Sequence, residues 1–448
     1  MSKQCLVKKQ TVKDINQSIT IPGDKSISHR AIIVASLAEN NSIFGNFLFS
    51  EDCLNTARVF QELGVDIELN GEKKTVSIKG VGLKGLKKTG QILDVGNAGT
   101  GIRLISGVLS GQDFVSQITG DNSIQKRPMK RAIEPLTLMG AEIKGRKMEG
   151  KDDIYPPLTI NGKISLNGIK YTLPVASAQV KSAILFASLY SLDRTVVTEP
   201  EKCRDHTERI LKKFGADIQV INNKIYCSGL KKLKNPDPQV PLFIPSDPSS
   251  AAFFVVLACL LPGTELVIKN VGLNPTRARY LDILKSMGAD LTITSVKGED
   301  FEPYGDIIVR SSSLENISIK KEDIPFVIDE IPILAVAALS GKGTFVVRNA
   351  AELRIKESDR IEGVSDLVKS IGGNIKTYAD GFEIEGSSDF KDFAVESKGD
   401  HRLAMSAIIA ALAAGKEAIV KDHDCINTSF PDFFRIIELL GFVLNSVD

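Results

Sequence analysis

Cations recur in this chain where a helix is about to begin, which is where a folded protein can hold an anionic substrate. Lys25, Ser26 and Arg30 follow the turn Pro22-Gly23-Asp24 and lead into an apolar run over residues 31–38. Asp24 and Ser26 are capping residues, and apolar spacing at Ile27, Ala31, Val34, Ala35 and Ala38 predicts a buried helix with exposed N-terminal amides. Those amides and the helix dipole attract phosphate or carboxylate, and two fixed cations beside them would complete an anion site. A capped surface helix with a solvated Lys and Arg accounts for this segment equally well. A P-loop accounts for it less well, because that motif needs Gly directly before Lys and Asp24 stands there.

The same combination returns along the chain. Gly96-Asn97-Ala98-Gly99-Thr100-Gly101 is followed by Arg103, and Ser177-Ala178-Gln179 by Lys181; Ser246-Asp247-Pro248-Ser249-Ser250, Asp329-Glu330 and Asp400-His401-Arg402 each precede an apolar run. Capping explains the Ser, Asp and Asn residues, and suffices for residues 246–250. It does not explain Lys and Arg, which a helix dipole disfavours at its N-terminus unless an anion sits between them. Loops before other helices add Lys126-Arg127-Pro128-Met129, Arg204-Asp205-His206 and the segment 353–360. In the last, Lys356 and Arg360 are four apart around Glu357, so one helical turn could present two cations and a carboxylate, although a solvated charged turn has the same composition. The glycines at 96–101 lack the G-x-G-x-x-G spacing of a dinucleotide site.

The elements that must carry these residues repeat. A helix-end glycine recurs six times, at Gly64, Gly140, Gly215, Gly288, Gly372 and Gly441, at roughly 75-residue intervals. Each follows a charged amphipathic helix, and in most an alternating strand comes next. Each unit also holds a nearly all-apolar helix, over residues 31–38, 102–109, 183–190, 251–261, 333–339 and 404–414. Helices apolar all round must be enclosed, so three would gather inside three sheets with the amphipathic helices outside. The expected fold is α/β: a two-domain inside-out α/β barrel of six repeated units of short strands and two helices, three per domain. Prolines at 241, 245 and 248 mark the crossover, giving one domain from residues 22–245 and another from 1–21 with 246–448. A strand over residues 5–10 could pair with either. Six positive helix ends facing one cleft would suit a multiply anionic ligand.

Bulk composition narrows the partners. Lys and Arg number 56 against 55 Asp and Glu in 448 residues, a net charge of +1, so neither a nucleic-acid nor a membrane surface is expected. Six cysteines without a C-x-x-C pair argue for free thiols in a reducing compartment, and four histidines without an i,i+4 pair argue against a zinc site. The N-terminus lacks an apolar signal core, and the longest apolar run falls short of the ~20 residues a bilayer needs. A cytoplasmic location is expected.

Taken together, Gly23-Asp24-Lys25-Ser26-Ile27-Ser28-His29-Arg30, Gly96-Asn97-Ala98-Gly99-Thr100, Lys126-Arg127-Pro128-Met129, Lys356-Glu357-Ser358-Asp359-Arg360, Gly399-Asp400-His401-Arg402 and Ser429-Phe430-Pro431-Asp432 resemble the 5-enolpyruvylshikimate-3-phosphate synthase family in order and spacing. Residues 173–183, 204–208 and 329–335 look like its second bacterial class, in which glyphosate-tolerant members occur. The resemblance implies two domains of three repeats that close on the substrates. It implies a monomer that joins shikimate-3-phosphate to phosphoenolpyruvate and releases phosphate, with no metal or organic cofactor.

Residue by residue, the resemblance implies that Lys25, Ser26, Arg30, Ser177, Gln179, Arg204, Asp329 and Lys356 hold shikimate-3-phosphate. Lys25, Gly99, Arg127, Gln179, Arg360 and Arg402 would hold phosphoenolpyruvate. Asp329 and Glu357 match the positions of the proton-transfer groups, and Lys25 would touch both substrates. One departure is Thr428, where many members have Lys. The sister enolpyruvyl transferase acting on UDP-N-acetylglucosamine is the alternative, but residues 113–128 contain no counterpart of its loop cysteine. A scaffold built from the same repeats would not require Lys25, Glu357 and Arg402 at helix ends. Two further expectations attach to the resemblance: Lys25→Met should abolish turnover and leave the fold nearly unchanged, and a methyl at Gly99 should intrude on glyphosate more than on phosphoenolpyruvate.

Overall fold

The structure is a computed structural model that describes residues 4–447 apart from Thr11, Lys13, Leu230 and Ser388. All six repeat glycines lie at positive φ, from +83° at Gly215 to +107° at Gly140, a conformation that ends a helix and that glycine adopts without steric cost. The helices they end are Glu51–Glu62, Lys130–Leu138, His206–Lys213, Arg279–Ser286, Arg360–Ser370 and Phe433–Leu439. A strand follows each. After Gly64 it is Asp66–Asn70, which pairs antiparallel with Thr75–Lys79 so that Ile67 lies opposite Ile78. Both isoleucines are buried while Asp66 and Glu68 are exposed, the period-2 alternation of a half-buried strand.

The apolar helices are α1 Lys25–Ser36, α2 Gly99–Ser110, α3 Ala178–Ser188, α4 Pro248–Leu260, α5 Ile331–Ser340 and α6 His401–Ala414. In α4 every residue from Pro248 to Cys259 is buried. α4, α5 and α6 pack against one another, and α2 packs against both α1 and α3. Each repeat adds one small sheet, and among the described residues five sheets have four strands and one has three. The four-strand sheets share one order, with an edge strand parallel to its neighbour and then two antiparallel partners. In the three-stranded sheet an isolated parallel bridge from Ser318 to Val346 stands where that edge strand would be.

The chain forms two compact units, and each has its own hydrophobic core. The first comprises Gly23–Ile244 with Asp300–Glu302; the second comprises the residues up to Pro22, Pro245–Glu299 and those from Pro303 onward. The N-terminal strand is Gln4–Val7, stopping before the exposed Lys8 and Lys9, and it belongs to the second unit. It lies antiparallel between Ala418–Lys421 and Leu444–Val447, with Val7 opposite Ala418 and Leu444. Asn16–Thr20 also serves the second unit, parallel to Glu265–Gly272, while Leu242–Phe243 pairs parallel with Asn41–Gly45 in the first. Residues 300–302 carry no sequence signal for their place: Phe301 is part of the first unit's core, and Glu302 Oε1 lies 2.7 Å from His206 Nδ1.

Candidate active site

In the first unit, α1 starts at Lys25 with Asp24 as its cap, the carboxylate accepting from the Ile27 amide at 2.9 Å. Lys25 Nζ forms an ion pair with Asp52, a residue 3% exposed. Arg30, one turn on, is turned inward. It donates to the Ser26 carbonyl at 2.8 Å, Thr207 Oγ1 at 2.6 Å and Ser182 Oγ at 2.8 Å, so it ties α1 to α3 and to helix His206–Lys213. Burial pushes its guanidinium down to about 10, which leaves it a cation at neutral pH.

α2 opens at Gly99, and Arg127 lies against that opening. Arg127 donates to Asn97 Oδ1 at 3.0 Å and Ser123 Oγ at 3.2 Å. A Cβ built on Gly99 would come within 2.5 Å of Arg127 Nη1 and 3.3 Å of Arg103 Nη1. A methyl here would therefore meet the Arg127 guanidinium as well as any ligand bound at this helix start. Gln179 is oriented at both ends of its amide: Oε1 accepts from Arg103 Nη1 at 3.0 Å, and Nε2 donates to Thr100 Oγ1 at 3.1 Å. Arg103 also donates to the Gly99 and Pro128 carbonyls, at 3.0 and 3.2 Å. Sequence reasoning noticed Arg103 at the helix end and gave it no role; its place one turn after Gly99 was the available signal.

Ser177 caps α3, accepting from the Val180 amide at 3.4 Å, and Arg204 is half-buried just ahead of helix His206–Lys213. Lys181 does not belong with the ligand-facing cations. It is fully buried and pairs with Glu199 at 2.7 Å and Glu208 at 2.6 Å. Burial works against its charge, but Glu208, Cys203 and Glu199 outweigh burial and raise it above the ordinary lysine value.

In the second unit, four sequence-predicted residues converge around a fifth, Arg360, whose side chain is 1% exposed. Its Nη1 donates to Asp329 Oδ1 at 3.0 Å, its Nη2 to Glu357 Oε2 at 2.6 Å and its Nε to Asp400 Oδ2 at 2.7 Å. Burial opposes that charge, and Asp400, Glu357 and Asp329 together overcome it and raise the value. Lys356 Nζ lies 3.5 Å from Asp329 Oδ1. Arg402 Nη1 donates to the Asp329 carbonyl at 3.0 Å and sits 3.8 Å from Glu330 Oε1. Asp400, which caps α6 through the Arg402 amide at 2.9 Å, is the holder of Arg360 that sequence reasoning missed.

The start of α4 is filled by the protein's own groups. Asp247 caps it, Arg277 lies 3.2 Å from Asp247 and donates to Ser249 at 2.8 Å, and Ser249 bonds to the fully buried Glu330. Thr428 ends a short 3₁₀ turn, its hydroxyl donating to the Cys425 carbonyl at 2.7 Å. Among the described residues no group of three or more His, Cys, Asp or Glu could hold a metal ion, and no helix is long and apolar enough to cross a membrane.

Three carboxylates and two further cations around one buried guanidinium, on a six-repeat α/β fold, can be compared with known proteins. A family model described as EPSP synthase (3-phosphoshikimate 1-carboxyvinyltransferase) matches residues 9–437. The chain belongs to the EPSP synthase family. The 3-phosphoshikimate 1-carboxyvinyltransferase of Thermoanaerobacter sp. (strain X514) is 45% identical over 433 residues, covering 97% of this chain and 99% of its own length. The structure of EPSP synthase from Acinetobacter baumannii matches with a TM-score of 0.88 at 42% identity, over 100% of both chains. An enolpyruvyl transferase from Streptomyces tendae has a TM-score of 0.79 at 14% identity, covering 100% of this chain and 99% of its own, and so shares the fold. With EPSP synthases matching nearly end to end, the UDP-N-acetylglucosamine alternative is not favoured.

Proposed function

We propose that this chain transfers the enolpyruvyl group of phosphoenolpyruvate to the 5-hydroxyl of shikimate-3-phosphate, releasing inorganic phosphate. The observation that carries the reading is the Arg360 centre, where one guanidinium holds Asp329 and Glu357 with Lys356 and Arg402 beside them. In the addition step the hydroxyl oxygen bonds to C2 of phosphoenolpyruvate while its proton passes to a base, and an acid gives a proton to C3. In the elimination step the proton leaves C3, the C2–O bond to phosphate breaks and the double bond re-forms. Asp329 serves as the base toward the hydroxyl and Glu357 as the group that gives and retrieves the C3 proton. Arg360 fixes the geometry of both.

Lys25, Ser26, Ser177, Gln179, Arg204 and Lys356 take the shikimate-3-phosphate side, with Arg30 holding α1 in place behind them. Lys25, Gly99, Arg127, Gln179, Arg360 and Arg402 take phosphoenolpyruvate, Gly99 through its bare backbone. Free thiols at all six cysteines support a reducing, cytoplasmic setting. Calorimetry with shikimate-3-phosphate, followed by phosphate release with both substrates present, tests the reading. Saturable binding and stoichiometric phosphate are expected, and absence of binding by the pure protein removes it.

A further inference from the structure

We propose that Arg354 is a positioning residue for this reaction, holding the loop that carries Lys356 and Glu357; the inference rests on the enolpyruvyl-transfer reading above. Arg354 lies in the 3₁₀ turn Ala351–Ile355. Its guanidinium donates from Nε to the Ala379 carbonyl at 2.8 Å, from Nη2 to the Tyr378 carbonyl at 2.7 Å and from Nη1 to Asp359 Oδ2 at 2.6 Å. These acceptors belong to two different elements. Tyr378 and Ala379 are at the tip of the hairpin formed by Asn374–Tyr378 and Gly381–Glu385. Asp359 caps helix Arg360–Ser370 with its other oxygen, which accepts from the Ile361 and Glu362 amides at 3.1 Å each. One side chain therefore joins a hairpin tip to a helix start, and residues 355–358 form the short loop closed by that contact.

The hairpin tip is itself anchored. Asp380 accepts from Arg348 Nε at 3.0 Å and from the Asn349 amide at 2.8 Å, and the Arg348 guanidinium lies over the Tyr378 ring, 4.0 Å from its centroid. Within the loop, Ile355 is 48% exposed, so apolar packing does little to hold it. Lys356 and Glu357 pair with Asp329 and Arg360, contacts that substrate binding and proton transfer must loosen or exchange. The Arg354 contacts take no part in that exchange. They keep the loop backbone in register while the side chains it carries change partners. Lysine cannot replace this arrangement, since three acceptors on two elements need the planar fork of a guanidinium.

The test uses the purified enzyme with both substrates. Arg354→Ala should lower kcat by about a hundredfold, and guanidinium ion at non-denaturing concentration should restore about tenfold of that by re-occupying the vacated fork. Arg354→Lys, which keeps the charge and loses the fork, should stay within about threefold of Arg354→Ala. Near-normal kcat in Arg354→Ala, recovery in Arg354→Lys, or an impaired Arg354→Ala that guanidinium does not improve would each overturn the inference. Should the alanine variant fail to fold, the lysine variant is read against wild type: a kcat lower by at least about thirtyfold is expected, and a near-normal kcat overturns the inference. Wild-type protein inactive with both substrates would instead defeat the functional reading.

Discussion

The two units hold their site cations against different partners. In the first, the partners of Arg127 include an amide oxygen and a hydroxyl, and those of Arg103 two carbonyls and the Gln179 amide. In the second, Arg360 is enclosed by three carboxylates, and Lys356 leans on one of the same three. A neutral acceptor orients a guanidinium without cancelling its charge, whereas a carboxylate does both. The first arrangement suits the binding of a phosphate ester. The second suits proton transfer, because its cations hold the carboxylates proposed as base and acid. Lys25, paired with Asp52, is the first unit's exception, and it is the cation assigned to both substrates.

The strongest way to break this contrast is to remove Arg360. Arg360→Met leaves Asp329, Glu357 and the fully buried Asp400 gathered without the guanidinium they share. A broken buried ion pair costs about 3–5 kcal/mol, a large fraction of the total stability of an ordinary domain. Urea unfolding should show that loss, together with loss of turnover. A variant of wild-type stability would mean that the carboxylates do not depend on Arg360.

Lys25→Met comes next. Turnover should be lost, but the expectation of an unchanged fold is revised, because Asp52 is nearly buried and loses this cation. The cost should be about 1–3 kcal/mol. Adding Asp52→Asn should recover most of the stability and none of the turnover. Thermal melts and phosphate release on the single and double variants separate the two effects.

What was legible in the sequence follows from which signals are local. Six glycines ending six amphipathic helices are set by backbone conformation alone, so the repeat and the α/β class could be read, along with each helix start that carries site residues. Whether a cation at such a start faces a ligand or the interior depends on residues far away in sequence. Lys181 carries the same local signal as Lys25, yet Glu199 and Glu208 enclose it. Arg30 likewise sits within its motif but bonds to Ser182 and Thr207. Asp400, Arg103 and Arg354 fell within the motifs but received no role, for the complementary reason: each acts by holding another side chain or loop, and only tertiary contacts show which.

Gly99→Ala probes the neutral-acceptor side of the contrast. The added methyl must displace the Arg127 guanidinium, which can move because it is the end of a flexible chain. The Michaelis constant for phosphoenolpyruvate should rise by about fivefold to thirtyfold, equivalent to about 1–2 kcal/mol. The inhibition constant for glyphosate should rise further, since a displaced Arg127 and the methyl would both act against a longer ligand. Steady-state kinetics at fixed salt decide the matter: an unchanged Michaelis constant would show that Arg127 accommodates the methyl without loss.

The smallest effect comes from a buried imidazole on the same helix as Lys25 and Arg30. His29 is fully buried in α1, with Nδ1 2.8 Å from Thr56 Oγ1 and Nε2 without a hydrogen-bond partner among the described residues. Burial first, then Lys25 and Arg30, holds its value well below the ordinary histidine range. The folded protein therefore refuses a proton that the unfolded chain accepts below about pH 6.5. Stability from this group is intact above that pH and declines as pH falls, by up to about 1.4 kcal/mol per unit, until the depressed folded value is reached. His29→Gln removes the titration while keeping a polar group within reach of Thr56. Between pH 7.5 and 5.5 the wild type should lose about 1.4 kcal/mol more than the variant in urea unfolding. Parallel losses in the two proteins would show that His29 takes up its proton without unfolding, and that the Lys25 and Arg30 charges do not reach it.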